Sequence, residues 1–142
     1  MKILECSSKG DKRFSAFYAK IKVFGKYNSI ESHYQNCKRD KHGHIAGKGK
    51  KVDQMIIVLS DGSTIKLSPS YLTAYYKLLW CCYLDNNLEL VEYASTFDDF
   101  NDMFKGRAIN CQADTIRQYI KQGRKSILAE SDVKEFRKIL NI

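Results

Sequence analysis

Three features of this 142-residue chain predict an α+β fold, with a small antiparallel sheet in the N-terminal half packed against a mainly helical C-terminal half. QMIIVL and TIKL flank SDGS, and an Asp-Gly step between two apolar runs is a hairpin signal. Ser68-Pro69 supplies an N-cap and an N1 proline for SYLTAYYKLLWCCYL, which is apolar nearly all round and therefore central to the core. Beyond it, capped segments of helical spacing follow one another to the end of the chain.

At the start, KILEC and AFYAKIKVFG read as short strands with SSKGDK as the turn between them. Ser29 caps IESHYQNCKR, where Ile30, Tyr34 and Cys37 recur at helical spacing, and the helix is expected to end near Lys38. Asp40 to Lys51, DKHGHIAGKGKK, holds three glycines and four lysines with almost nothing to bury, so it reads as a loop. After the central helix come LELVEYA, then DDFNDMF behind Thr96, CQADTIRQYIKQ between Asn110 and Gly123, and DVKEFRKIL behind Ser131. In the third of these Ala113, Ile116 and Ile120 share a face, with Arg117, Gln118 and Lys121 off it. A single domain over residues 1–142 is expected, because neither side of a break near residue 52 holds much core of its own.

Residues 1 to 51 hold 13 Lys/Arg against 4 Asp/Glu, or +9, while residues 52 to 142 hold 11 against 12, or −1. The basic field of the N-terminal third attracts phosphate-bearing partners: nucleotides, nucleic acid or, less so, anionic lipid. No 18-residue apolar run and no secretory pattern occurs, so a cytoplasmic location without a membrane partner is expected. The cysteines Cys6, Cys37, Cys81, Cys82 and Cys111 are odd in number and include an adjacent pair on a helix, a poor disulfide framework. They are expected to be reduced.

The catalytic and metal classes find little support in the motifs. His42 and His44 sit in the glycine-lysine loop, where nothing in the sequence holds them as bases, and His33 is alone on its helix. Cys37, His42 and His44 lack a fourth zinc ligand. GKGKK, Gly47 to Lys51, lacks the spacing of a Walker loop, although its backbone and its Lys48 and Lys50 suit an anion. FSAFYAKIK interleaves Phe14, Phe17 and Tyr18 with Arg13, Lys20 and Lys22, and rings beside cations suit a nucleotide or a single strand. Glu92, Asp98, Asp99 and Asp102 offer carboxylates for acid–base work on a glycosidic bond, but Asp98 and Asp99 also fit the first turn of a helix. FKGRAINCQAD places Gly106 and Arg107 at the lip of a helix capped by Asn110, whose free N–H groups make an anion site. Arg124 lies one helix length away and reaches such a ligand only across a symmetric subunit contact.

FSAFY, YNSIESHYQNCKR, LELVEYASTFDDF and FKGRAINCQAD resemble, in that order, segments of the NADAR superfamily. Its motifs look like F-S-N-F-Y, Y-x-S-V-E-H-Y-x-Q-A-x-K, L-V-E and a late glycine-arginine-asparagine segment. The chain departs from them at Ala16, which stands where the first motif has asparagine, and at Ser32, which separates Glu31 from His33. Members act on N-glycosidic bonds of ADP-ribose-like molecules, and the resemblance implies Glu31 as the residue to test.

In length, in lysine-rich composition and in the block ELVEYASTFDDFNDMFKGRAINCQADTIRQYIKQGR, the whole chain resembles the first Thoeris anti-defence family of small phage proteins. Members bind glycocyclic ADP-ribose without cleaving it and assemble as homo-oligomers. This resemblance implies a cytoplasmic, non-enzymatic sponge for a cyclic nucleotide signal, with no cofactor and no metal. Phe17 or Tyr18 would stack on adenine, Arg107 with Asn110 would hold a phosphate, and Lys48, Lys50 and Arg124 would add charge. The alternatives are a NADAR-like N-glycosidase and a small basic nucleic-acid-binding protein.

Overall fold

A computed structural model describes residues 1–47, 49–102 and 112–130. In chain order its elements are β1 (Ile3–Glu5), β2 (Lys20–Val23), β3 (Lys26–Ser29), α1 (Ile30–Asn36), β4 (Lys38–Arg39), β5 (Gln54–Val58), β6 (Thr64–Leu67), α2 (Leu72–Asp85), α3 (Leu88–Ala94), β7 (Asp99–Asn101), α4 (Gln112–Gln122) and α5 (Arg124–Glu130). Small sheets occupy the N-terminal half and helices the C-terminal half, the α+β arrangement read from the sequence.

The centre is α2, nine of whose fourteen residues are buried. Ser68 starts it as expected, its Oγ accepting the Ser70 N–H through a short 3-10 turn over Pro69–Tyr71. Residues of α1, β2, α3, α4 and α5 all approach α2. A helix apolar on every side needs cover on every side.

The strands form three separate small sheets. β5 and β6 make the expected hairpin, with Ile57 opposite Ile65 and the Asp61 carboxylate accepting the Ser63 N–H at 2.9 Å. β4 extends it antiparallel, Lys38 opposite Met55. β2 and β3 form a second hairpin whose turn places Phe24 and Gly25 both at positive φ, 54° and 76°. Consecutive positive φ values give a turn whose twist matches that of the flanking strands.

The third sheet corrects two expectations. The sequence spacing predicts a helix over DDFNDMF, but Asp99–Asn101 is β7, paired parallel with β1 so that Leu4 lies beside Phe100. Carboxylates that suit a helix start serve here as anchors: Asp98 accepts the Lys2 backbone N–H at 2.7 Å, and Asp99 accepts from Arg117 at 2.9 Å. Consequently β1 has no hairpin partner in AFYAKIKVFG, where the strand begins only at Lys20. A 3-10 turn over Lys12–Phe14, capped by Asp11, and a turn following Ser15 take the place of the expected strand start.

Gly123 ends α4 as read from the sequence, at φ +86°, and the chain at once enters α5, which the sequence reading lacked. The predicted helix over DVKEFRKIL lies outside the described residues. Cys6, Cys37, Cys81 and Cys82 all occupy buried positions.

Phe100 and Leu4 are both almost fully buried and join two segments nearly one hundred residues apart. We expect Phe100→Ala to lower the unfolding free energy by about 3–5 kcal/mol in a urea titration. A solvent-facing helical phenylalanine would lose far less.

Candidate functional site

The turn from Ser15 to Ala19 carries two large exposed rings on a buried frame. Ser15, Ala16 and Ala19 are at most 2% exposed, whereas Phe17 and Tyr18 are 51% and 50% exposed. Ser15 closes the turn, its carbonyl accepting the N–H groups of Tyr18 at 3.0 Å and Ala19 at 2.7 Å. Exposed aromatics between buried neighbours cannot be core residues, and a closed turn holds them in place.

Two helix starts grip this turn. At α1, the Ser29 hydroxyl caps the Ser32 N–H, while the N–H groups of Ile30 and Glu31 donate to the carbonyls of Ala19 and Ala16, each at 2.9 Å. The donors that a helix start leaves free are therefore satisfied by the turn. At α4, the side chain of Gln112 reaches back, its Oε1 accepting the Ala16 N–H at 2.7 Å. From α2, the Tyr83 hydroxyl donates to the Arg13 carbonyl at 2.7 Å, fixing the chain just before the turn. Both backbone polar groups of Ala16 are thus paired to different helices.

Around the turn the side chains are charged and aromatic. The Lys12 ammonium lies 4.9 Å from the centre of the Tyr18 ring. The Arg13 guanidinium covers Tyr93 at 4.6 Å and is held by Asp11 through a 2.7 Å ion pair, which lowers the Asp11 pKa and raises that of Arg13. Glu31 accepts from the Gln35 amide at 2.8 Å through Oε1, and its Oε2 makes no hydrogen bond among the described residues. Lys38 lies close enough to feel the Glu31 charge, which opposes the stronger lowering of its pKa by burial.

The other acid–base candidates are committed elsewhere. His33 is buried and Nε2–H donates to the Ile21 carbonyl at 3.0 Å, while burial holds its pKa below 6.5. Burial pushes the thiols of Cys37 and Cys81 up to about 12 and that of Cys82 up to about 11, so these sulfurs stay protonated and poor nucleophiles. Asp99 is bound by Arg117, which also grips Asp114 at 2.7 Å and the Phe100 carbonyl, tying β7 to α4 and holding the Asp99 pKa low. Among the described residues no group of three metal-ligating side chains gathers.

Of the residues singled out in the sequence, the structure brings Phe17 and Tyr18 together on the turn. Lys48, Arg107 and Asn110 lie outside the described residues. Lys50 belongs to the loop between β4 and β5, where its N–H donates to the Gly47 carbonyl; no hydrogen bond among the described residues joins that loop to the Ala16 turn. Arg124 holds Asp85 of α2 in a two-pronged pair at 2.9 and 3.1 Å, and Tyr119 donates to the same carboxylate at 2.6 Å. Gln112 is absent from the sequence-based set, since a helix-start glutamine carries no pattern that announces a buried tertiary bond.

Set against known protein families and curated protein sequences, the chain matches none of them. The chemistry of the Ala16 turn stands on its own residues.

If the exposed rings form a stacking platform, Phe17→Ala and Tyr18→Ala should each weaken nucleotide binding by about 1–3 kcal/mol, read by calorimetry with ADP-ribose. Their melting temperatures should hardly move, because neither ring is buried. A large loss of stability with unchanged affinity would make both rings structural.

Proposed function

We propose that this chain binds an ADP-ribose-type nucleotide at the Ala16 turn and hydrolyses an N-glycosidic bond in it, with Glu31 as the general base. One observation carries the reading: the Ala16 carbonyl accepts the Glu31 N–H, which ties the backbone bearing the Glu31 side chain to the turn bearing the exposed aromatic pair. The Phe17 and Tyr18 rings offer faces for a base, and Lys12 beside Tyr18 offers charge for a phosphate. Gln35 orients the Glu31 carboxylate through Oε1, leaving Oε2 to take a proton. In the reaction Oε2 accepts a proton from water as the water oxygen bonds to the anomeric carbon. The C–N bond breaks, its electron pair stays on the departing nitrogen, and the proton passes on to that nitrogen. The resemblance to the NADAR superfamily supports the same carboxylate, since Glu31 falls on the glutamate of its second motif.

A second reading keeps the ligand and drops the cleavage. Two half-exposed rings beside an unburied lysine suit sequestration in the manner of the first Thoeris anti-defence family. In that case glycocyclic ADP-ribose is the ligand, and a homo-oligomer completes the site with Lys48, Lys50, Arg107, Asn110 and Arg124. Both readings place the protein in a cytoplasm, where such nucleotides arise.

Incubation with cyclic ADP-ribose, followed by chromatography and mass analysis, separates the two. The hydrolytic reading expects ADP-ribose as product, and Glu31→Gln should slow its release by about 10²–10⁴-fold while leaving binding intact. Tight binding with the cyclic nucleotide recovered whole after denaturation would replace hydrolysis by sequestration. Absence of both binding and turnover would remove the nucleotide altogether.

A further inference from the structure

The outer face of the β2–β3 hairpin carries chemistry that the Ala16 turn does not use. Along β2 the residues alternate, Lys20 and Lys22 exposed and Ile21 and Val23 buried, so one face packs into the core and the other meets solvent. Antiparallel pairing sets Tyr27 of β3 opposite Lys22, and its side chain is 69% exposed. Among the described residues neither lysine pairs with a carboxylate, and Tyr27 stacks on no other ring. A lone exposed ring is ordinary on a protein surface. A ring beside two unpaired ammonium groups on one pleated face is completed by a ligand that has both flat faces and negative charge.

The face continues past the hairpin. The Tyr83 hydroxyl donates to the Arg13 carbonyl, and burial chiefly raises its pKa, with Arg13, Asp11, Glu89 and Tyr27 all within electrostatic reach. The hairpin and the 3-10 turn over Lys12–Phe14 thus both come close to Tyr83. Asp11 is taken up by Arg13, which leaves Glu89 against the ammonium groups of Lys12, Lys20 and Lys22. The balance of charge on this side of the molecule is positive.

We infer that this face is a docking surface for single-stranded nucleic acid, with Tyr27 stacking on a base while Lys20, Lys22 and Lys12 meet phosphates. Lys20 and Lys22 stand two residues apart, about 7 Å along a strand, which spaces them for successive phosphates of an extended chain rather than for one. A duplex keeps its base faces stacked inside and an anionic bilayer has none, so Tyr27 favours the single strand over both. The surface needs neither Glu31 nor cleavage, and it holds or fails separately from the reading of the Ala16 turn.

Fluorescence polarisation with a labelled oligothymidine of about twelve bases, and with its duplex, tests the assignment over a series of salt concentrations. The single strand should bind more tightly than the duplex, and its affinity should fall as salt rises. Tyr27→Ala should weaken single-strand binding by about 5–100-fold, with the melting temperature and the affinity for ADP-ribose unchanged. The pair Lys20→Gln and Lys22→Gln should reduce the slope of log affinity against log salt by about 1.4, the share of two phosphate contacts. No binding at low salt would overturn the assignment, as would equal affinity for strand and duplex, a comparison made on the wild type alone. Unchanged affinity in Tyr27→Ala would overturn it too, reducing the face to a general attraction for polyanions. Binding to phosphatidylserine vesicles without binding to the oligonucleotide would replace the nucleic acid by a membrane. Single-strand binding by a protein that ignores ADP-ribose would uphold this surface and remove only the nucleotide reading of the turn.

Discussion

Everything at the candidate site depends on the two backbone hydrogen bonds of Ala16, its N–H to Gln112 and its carbonyl to the N–H of Glu31. A paired amide contributes only about 0.5–1.5 kcal/mol net, but a buried amide left without its partner costs about 1–3 kcal/mol. That asymmetry keeps the turn closed more firmly than either bond alone suggests. It also explains why alanine suits position 16. The residue is 2% exposed, its backbone makes both contacts, and a small side chain leaves the two helices room to meet over it.

The arrangement brings together segments that are distant in sequence. Ser15 to Ala19, the start of α1 and the start of α4 converge, and the parallel pair of β1 with β7 draws residue 4 to residue 100. Both closures share one apolar core with α2, whose burial supplies the driving force. Arg117 joins β7 to α4, so the sheet and the helix that carries Gln112 are braced against each other.

Much of this was legible in the chain. The Ser68-Pro69 start of α2, the Asp61-Gly62 hairpin and the Gly123 stop each carry a local chemical signal that needs no tertiary context. β7 was not legible. Three residues are too few to show a period of two, and Asp98 and Asp99 look like a helix start until Lys2 and Arg117 are seen to hold them. Phe17 and Tyr18 were read as candidate stacking residues, but on a strand, because period-two spacing cannot distinguish a strand from a closed turn. Gln112 gave no signal at all, its role being set by a partner ninety-six positions away. Arg124 is expected from the sequence to add charge at a ligand, whereas it pairs with Asp85, whose carboxylate also accepts from Tyr119, in a network that secures α5 to α2.

Charge follows the same division. Lys77, Arg117 and Arg124 of the helical half each meet a carboxylate, while the excess positive charge of the chain belongs to residues 1 to 51, the segment that includes the Ala16 turn. Such a field draws an anionic ligand to that side of the molecule and weakens with salt. The most direct measurement of the central claim is photolabelling with 8-azido-ADP-ribose, followed by peptide mapping. The label should fall on the peptide containing Phe17 and Tyr18. Labelling confined to the Lys41–Lys51 loop or to α5 would contradict the placement of the ligand on the Ala16 turn.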